Sequence, residues 1–224
     1  MNQERVITND TSGQEIFTRV FGWMALALGI TALVSMLTIR SGLIRPILSN
    51  PIIFYGLIIG ELIMVWILSS KIGSMSIGIA KLIFFAYAAV NGLTFSAIFI
   101  AYTSTSITST FAITAGIFGF MAVYGYNTEQ DLTSFGSYAL MGVVGLIIAS
   151  IVNIFLNSSM LYWIITYAGV IIFTGLIAYD TQKIKRMAHS ATSGKKVAIL
   201  GALSLYLDFI NLFIYLLRIF GKRE

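Results

Sequence analysis

The chain has 224 residues, of which 58% are apolar and only 10% charged, with a formal net charge of +5 and no cysteine. A soluble domain averages about 25% charged residues, so this composition excludes one and indicates an integral membrane protein. The missing cysteines exclude a disulfide framework and a thiolate metal site. The positive charge does not indicate nucleic acid, because the 14 Lys and Arg residues cluster at the ends of apolar runs and form no single patch.

Residues 1–16 mix both signs of charge, and the apolar run that follows is longer than the core of a signal peptide, so they are expected to form a retained polar segment. Crossing ~30 Å of hydrocarbon takes about 20 helical residues. Six runs meet that length, at 17–39, 51–70, 77–102, 107–126, 137–156 and 160–180, and a debatable seventh covers 197–220. None shows the ~10-residue alternation of an outer-membrane barrel. The predicted fold class is therefore an all-α integral membrane protein of seven transmembrane helices, with a single membrane domain over 17–221, a short tail at 222–224 and no room for a soluble domain.

The linkers are short. "RSGLIRPILSNP" holds both prolines and separates two helices. "YTSTSITST" reads as a neutral hydroxyl-rich turn, "NTEQDLTSFGS" as an acidic loop and "TQKIKRMAHSATSGKK" as a basic loop facing anionic cytoplasmic lipid. The single His189 falls in that basic loop, where a solvated role is expected. If all seven runs cross, nine basic residues share one side against five on the other, which places the N-terminus in the cytoplasm. A re-entrant last run would make the split twelve against two, but its 24 residues lack a proline or a polar turn and are long enough to cross, so crossing is favoured. No segment repeats, so nothing supports an inverted-repeat transporter.

The last run raises the functional question. Within "SLYLDFINLF", Asp208 shares a helical arc of about 80° with Gly201, Ser204, Asn211 and Tyr215, while Leu203, Leu207, Phe209, Ile210 and Leu217 point elsewhere. An aspartate at mid-bilayer is unfavourable by ~2.5 to 3.5 kcal/mol, so this stripe must face protein or water. The last helix is accordingly expected at the centre of the bundle. Asp180 in "GLIAYDTQKI", with Thr166, Gly169 and Phe173 on its face, is the first candidate partner. Direct pairing requires the two helices to offset or the intervening loop to be partly helical. Two carboxylates meeting in a low-dielectric site do not both ionise readily, and a shared proton makes them a proton-sensitive latch. Glu61 is a third intramembrane acid. Lys71 and Lys81 are candidate counter-ions, with interfacial anchoring as the plainer role. Asn91 and Asn153 are expected to make interhelical hydrogen bonds.

"FAYAAVNGLTFSAIFIAYTS", "AYDTQKI" and "LGALSLYLDFINLFIYLLRIFG" closely resemble the Bax inhibitor-1, or transmembrane Bax inhibitor motif, family, in particular its bacterial inner-membrane branch. The likeness covers about 17–221. It implies seven helices with the last one ringed by the other six, a bacterial plasma membrane location, and a pH-sensitive calcium leak gated by an aspartate pair matching Asp180 and Asp208. Glu61 matches the family's second-helix glutamate, and Glu61, Ser204 and Asn211 become candidates for the ion pathway. The chain departs from the family in four places. Ala97 stands where many members have a third-helix proline, "TEQD" replaces a basic pair before Asp131, no arginine matches near Lys71, and "GKRE" is shorter than the basic tail of animal members.

Calcium prefers about six to eight oxygens, more than these acids and amides offer, so binding at Asp180 and Asp208 is expected to be weak and transient, with calcium as the transported ion and no tightly bound cofactor. The expected partners are the lipid bilayer, calcium and protons, with no nucleic acid. The alternative function is a non-conducting regulator that binds a membrane protease or another membrane protein. An intramembrane aspartyl hydrolase is disfavoured because neither "AYDTQ" nor "YLDFI" is a glycine-flanked aspartyl motif. The protein is not expected to be an enzyme.

Overall fold

A computed structural model describes residues 2–190 and 194–223, with side chains from 13 to 188 and from 194 to 223. The helices are α1 (Asn2–Arg40), α2 (Ile44–Ser49), α3 (Pro51–Lys71), α4 (Ile77–Ala101), α5 (Ser104–Asn127), α6 (Thr133–Leu156), α7 (Ser159–Ser190) and α8 (Gly194–Phe220). All except the short α2 carry a span long and apolar enough to cross a membrane, which makes seven among the described residues. The debatable last run is one unbroken helix of 27 residues. Its span is also the most enclosed, with 72% of its apolar window buried against 39% for the next, in α4. The enclosure reaches beyond the polar stripe, since Leu203, Phe209, Ile210 and Leu217 are buried as well.

Local chemistry explains most helix boundaries. Asn50 accepts from the Ile52 N–H at 3.0 Å, with Pro51 opening α3 where its missing N–H costs nothing. Ser76 and Thr103 cap α4 and α5 in the same way. The Thr103 cap corrects the reading of "YTSTSITST" as a turn, because α5 begins at Ser104 and takes up the remaining hydroxyls. Thr108, for example, donates back to the Ser104 carbonyl at 3.0 Å. Asn157, in the left-handed region at φ 48°, closes α6. Asn153 serves that turn by accepting from the Ser158 N–H at 3.0 Å, so its amide acts locally and not between helices.

The polar N-terminal segment is helical from Asn2 and continuous with the first span. One further boundary differs from expectation. The supposed basic loop is helical through Ser190, which places the His189 backbone on α7; residues 191–193 of that stretch and the His189 side chain lie outside the described residues. Asp180 therefore stands ten residues before the end of α7, and Asp208 fourteen residues after the start of α8. At 1.5 Å per residue these distances are roughly 15 and 21 Å, so the depth mismatch drawn from sequence nearly disappears.

The chain divides into two compact units, one formed by Met1–Tyr102 and Met187–Tyr206, the other by Thr103–Arg186 and Leu207–Arg223. In the first, α1 lies close to α4. Thr31 and Ser35 donate across to the carbonyls of Ala88 and Gly92 at 2.9 and 2.8 Å, and a Cβ on Gly92 would collide with Val34. Small residues and hydroxyls thus allow near backbone contact, the usual device where lipid supplies no hydrophobic drive between helices. In the second unit, Phe111 and Phe118 of α5 both pack on Phe209 of α8. Gly125 lies so close to the Ala178 backbone, and Gly136 so close to the Tyr179 ring, that neither leaves room for a side chain.

Candidate functional site

In the second unit α7 and α8 run side by side in a register that two residue pairs define. The rings of Phe173 and Tyr215 stack with centroids 5.8 Å apart, and Gly169 makes room for the Tyr215 ring. Seven residues further along α7 is Asp180, and seven residues back along α8 is Asp208. Two helical turns on each chain therefore carry the stacked rings to the two acids. Asp208 is only 5% exposed, whereas Asp180 is half-buried.

Asp180 acts on Asp208 both as a neighbouring charge and as a side-chain hydrogen-bond partner, and the charge of Lys183 acts on Asp208 in the opposite sense. Yet Asp208 Oδ2 is buried without a hydrogen-bond partner among the described residues. Both facts follow from the chemistry of carboxyl groups. Ionised, the two side chains are acceptors only, and the contact is an unfavourable approach of like charges. With one proton between them it becomes a hydrogen bond. The arrangement can therefore hold a proton, or trade it for a cation once the proton leaves.

Lys183 stands one turn beyond Asp180, exposed, with its Nζ 5.7 Å from the centre of the Tyr179 ring. The spacing in "DTQK" could have revealed it. The lysines proposed as counter-ions have other surroundings in the first unit. Lys81 sits over the Trp23 ring at 4.1 Å, a cation–π contact, and Lys71 is exposed in the last turn of α3. Of the other stripe residues, Asn211 donates to the Leu207 carbonyl at 2.8 Å within its own helix, and Ser204 is half-buried.

Glu61 belongs to a different cluster, within the first unit. Its Oε1 accepts from Thr94 Oγ1 at 2.8 Å and its Oε2 from Asn91 Nδ2 at 3.3 Å. Asn91 Oδ1 accepts in turn from the Tyr206 hydroxyl at 2.9 Å, which lies 2.6 Å from Thr31 Oγ1. Asn91 thus fulfils its expected interhelical role, joining α3 to α8. Tyr206, with no exposed surface, is the residue that sequence reasoning missed, because within "SLYLDF" it passes for apolar filling.

A third polar group surrounds the 128–132 loop. Asp131 Oδ1 accepts from the Thr133 hydroxyl and N–H at 2.6 and 3.0 Å and from Arg186 at 2.9 Å. The Thr133 donors, together with the guanidinium, hold its carboxyl at about 2, below the usual carboxylate range. The acidic loop is thus partly neutralised by the basic end of α7.

The family model described as Inhibitor of apoptosis-promoting Bax1 matches residues 13–224. The chain belongs to the Bax inhibitor-1 family. Among its relatives, the Inner membrane protein YbhL of Escherichia coli K12 is 47% identical over 94% of this chain and 93% of its own. A protein of Borreliella burgdorferi is 43% identical over 99% and 96%, and a membrane protein of Streptococcus pyogenes serotype M1 is 38% identical over the whole of both chains. Membership of the Bax inhibitor-1 family and the seven apolar helices together establish a multi-pass α-helical membrane protein.

Proposed function

We propose that this Bax inhibitor-1 family protein is a pH-sensitive calcium leak of the bacterial inner membrane, gated by Asp180 and Asp208. One observation carries this reading: a buried Asp208 that faces a second carboxyl while its own Oδ2 lacks a donor among the described residues. At low pH a shared proton joins the two side chains and disfavours passage. At higher pH the proton leaves, the acids repel, and the charge they expose attracts a divalent cation. Among the described residues no three His, Asp or Glu side chains gather, and two carboxylates fall short of the about six to eight oxygens that calcium takes. Binding is therefore weak and partly hydrated, as conduction requires. The acids act as a gate and not as a hydrolytic pair. The name of the Escherichia coli relative supports the inner-membrane location, and the distribution of basic residues supports a cytoplasmic N-terminus.

The test is calcium entry into proteoliposomes over a pH series, with Asp180→Asn and Asp208→Asn alongside the unmutated protein. Flux should rise with pH in the unmutated protein and lose that dependence in both variants. Variants with an unchanged pH profile would refute the gate. If even the unmutated protein passes no calcium, a non-conducting regulator becomes the better reading, and its partner is to be sought among membrane proteases.

A further inference from the structure

We infer that Gln182 is a positioning residue for Asp180, and that through it the loop between α5 and α6 sets the pH at which the aspartate pair responds. The inference rests on the aspartate-pair reading above. Gln182 lies two residues beyond Asp180, is 7% exposed, and uses both ends of its amide on backbone outside its own helix. Its Nε2 donates to the Gln130 carbonyl at 2.7 Å, and its Oε1 accepts from the Leu132 N–H at 3.0 Å. Leu132 is the cap of α6 and provides no side-chain hydrogen bond of its own, so a residue of α7 satisfies backbone that the loop leaves open.

Neighbouring side chains complete the clamp. Arg186 donates to Gln182 Oε1 and to Asp131 Oδ1, each at 2.9 Å, which fixes the amide's orientation. Lys185 Nζ reaches the Tyr126 carbonyl at 2.8 Å. The end of α5 at Tyr126 and the loop at Gln130 and Leu132 are thus tied to α7 through their backbone, by the side chains of Gln182 and Lys185. On the other side of Asp180, α5 and α6 press through Gly125 and Gly136 on Ala178 and Tyr179. Asp180 is held from both directions, so α7 cannot turn or slide there without breaking these contacts. How closely Asp180 approaches Asp208 is therefore set outside the pair.

Only a glutamine suits this place, since one side chain must donate and accept at once across a fixed span. Glutamate loses the donor, alanine loses both groups, and asparagine falls one methylene short. The charged groups of these elements include Asp208 on α8, Lys183, Lys185 and Arg186 on α7, and Glu129 and Asp131 in the loop. Asp131 keeps its charge at any pH near neutrality, because its carboxyl is held at about 2. The response near neutral pH then belongs to the aspartates.

The experiment uses the full chain in proteoliposomes loaded with a calcium dye, with Gln182→Ala, Gln182→Glu and Gln182→Asn compared over the same pH series, together with amide hydrogen exchange of residues 126–133. Loosening Asp180 weakens proton sharing, so the midpoint of flux should move down by about 0.5 to 1 pH unit in the alanine variant and by less in the glutamate variant, whose added negative charge opposes the shift. Exchange in the loop should rise by about fivefold or more. If alanine fails to fold, the asparagine variant, which keeps the amide but shortens its reach, carries the same test. A midpoint that stays in place overturns the inference, even if exchange rises, because the clamp then supports only the loop. A flat profile in the unmutated protein overturns the aspartate reading itself, so the two failures are distinct.

Discussion

The two intramembrane acid sites solve one problem in opposite ways. Around Glu61, both carboxylate oxygens have donors, the Asn91 amide is used at both ends, and Tyr206 links Asn91 to Thr31. Around Asp208, one buried oxygen has no donor among the described residues, and a hydrogen-bond partner of the side chain is another acid. A closed network in a low-dielectric interior fixes helix positions and has little reason to respond to its surroundings. An open one is stable only while a proton or a cation completes it. The contrast teaches that an acid within a membrane helix marks a site of interest, while the number of donors around it decides whether that site holds or switches.

The largest expected effect comes from removing the open site. In the unmutated protein calcium flux should increase about tenfold or more between about pH 5.5 and 7.5, and Asp208→Asn should reduce that to within about twofold, read in proteoliposomes. Breaking the packing around the same site comes next. Gly125→Ala drives a Cβ into the Ala178 backbone, which cannot yield as a side-chain tip can, and should lower stability by about 2 to 3 kcal/mol, measured by thermal unfolding in detergent. Gly116→Ala, on the same helix with open space around it, is the matched control and should be neutral or slightly stabilising.

Opening the closed site should produce a smaller loss of a different kind. Tyr206→Phe leaves Asn91 Oδ1 buried without its donor and should destabilise the protein by about 1 to 2 kcal/mol, with the midpoint of flux unmoved. A large shift of that midpoint would erase the distinction between the two sites. The smallest effect belongs to Asp131. Its carboxyl is held below its ordinary 3.8, at about 2, so whatever it contributes to stability is complete above 3.8 and lost as pH falls through about 2. Asp131→Asn should therefore bring only a small loss of stability, as suits an exposed pair, that does not vary with pH between about 5 and 8, and should leave the midpoint of flux unmoved.

Much of this was legible in the amino-acid order because lipid is an exacting solvent. A helix must satisfy its own backbone within hydrocarbon, so apolar length alone marks seven spans, and even the contested last one proved continuous. An aspartate in such a run cannot face acyl chains, which singled out Asp208 before any neighbour was known. Polar ends obey looser rules. The hydroxyl-rich and basic stretches read as loops because their side chains suit water, yet the first is helical from Ser104, after a cap at Thr103, and the second is helical through Ser190.

The order of residues by itself determined the solvent, the number of membrane spans, the family and the candidate acids, since each depends on composition along one helix. Tertiary structure decided which acid meets which. It set the charge of Lys183 against that of Asp208, gave both Glu61 oxygens donors in Asn91 and Thr94, and fastened α7 with Gln182. Hydrogen bonds and charge pairs need atoms about 3 Å apart on different helices, and that proximity comes from register and rotation between helices, which no single segment encodes.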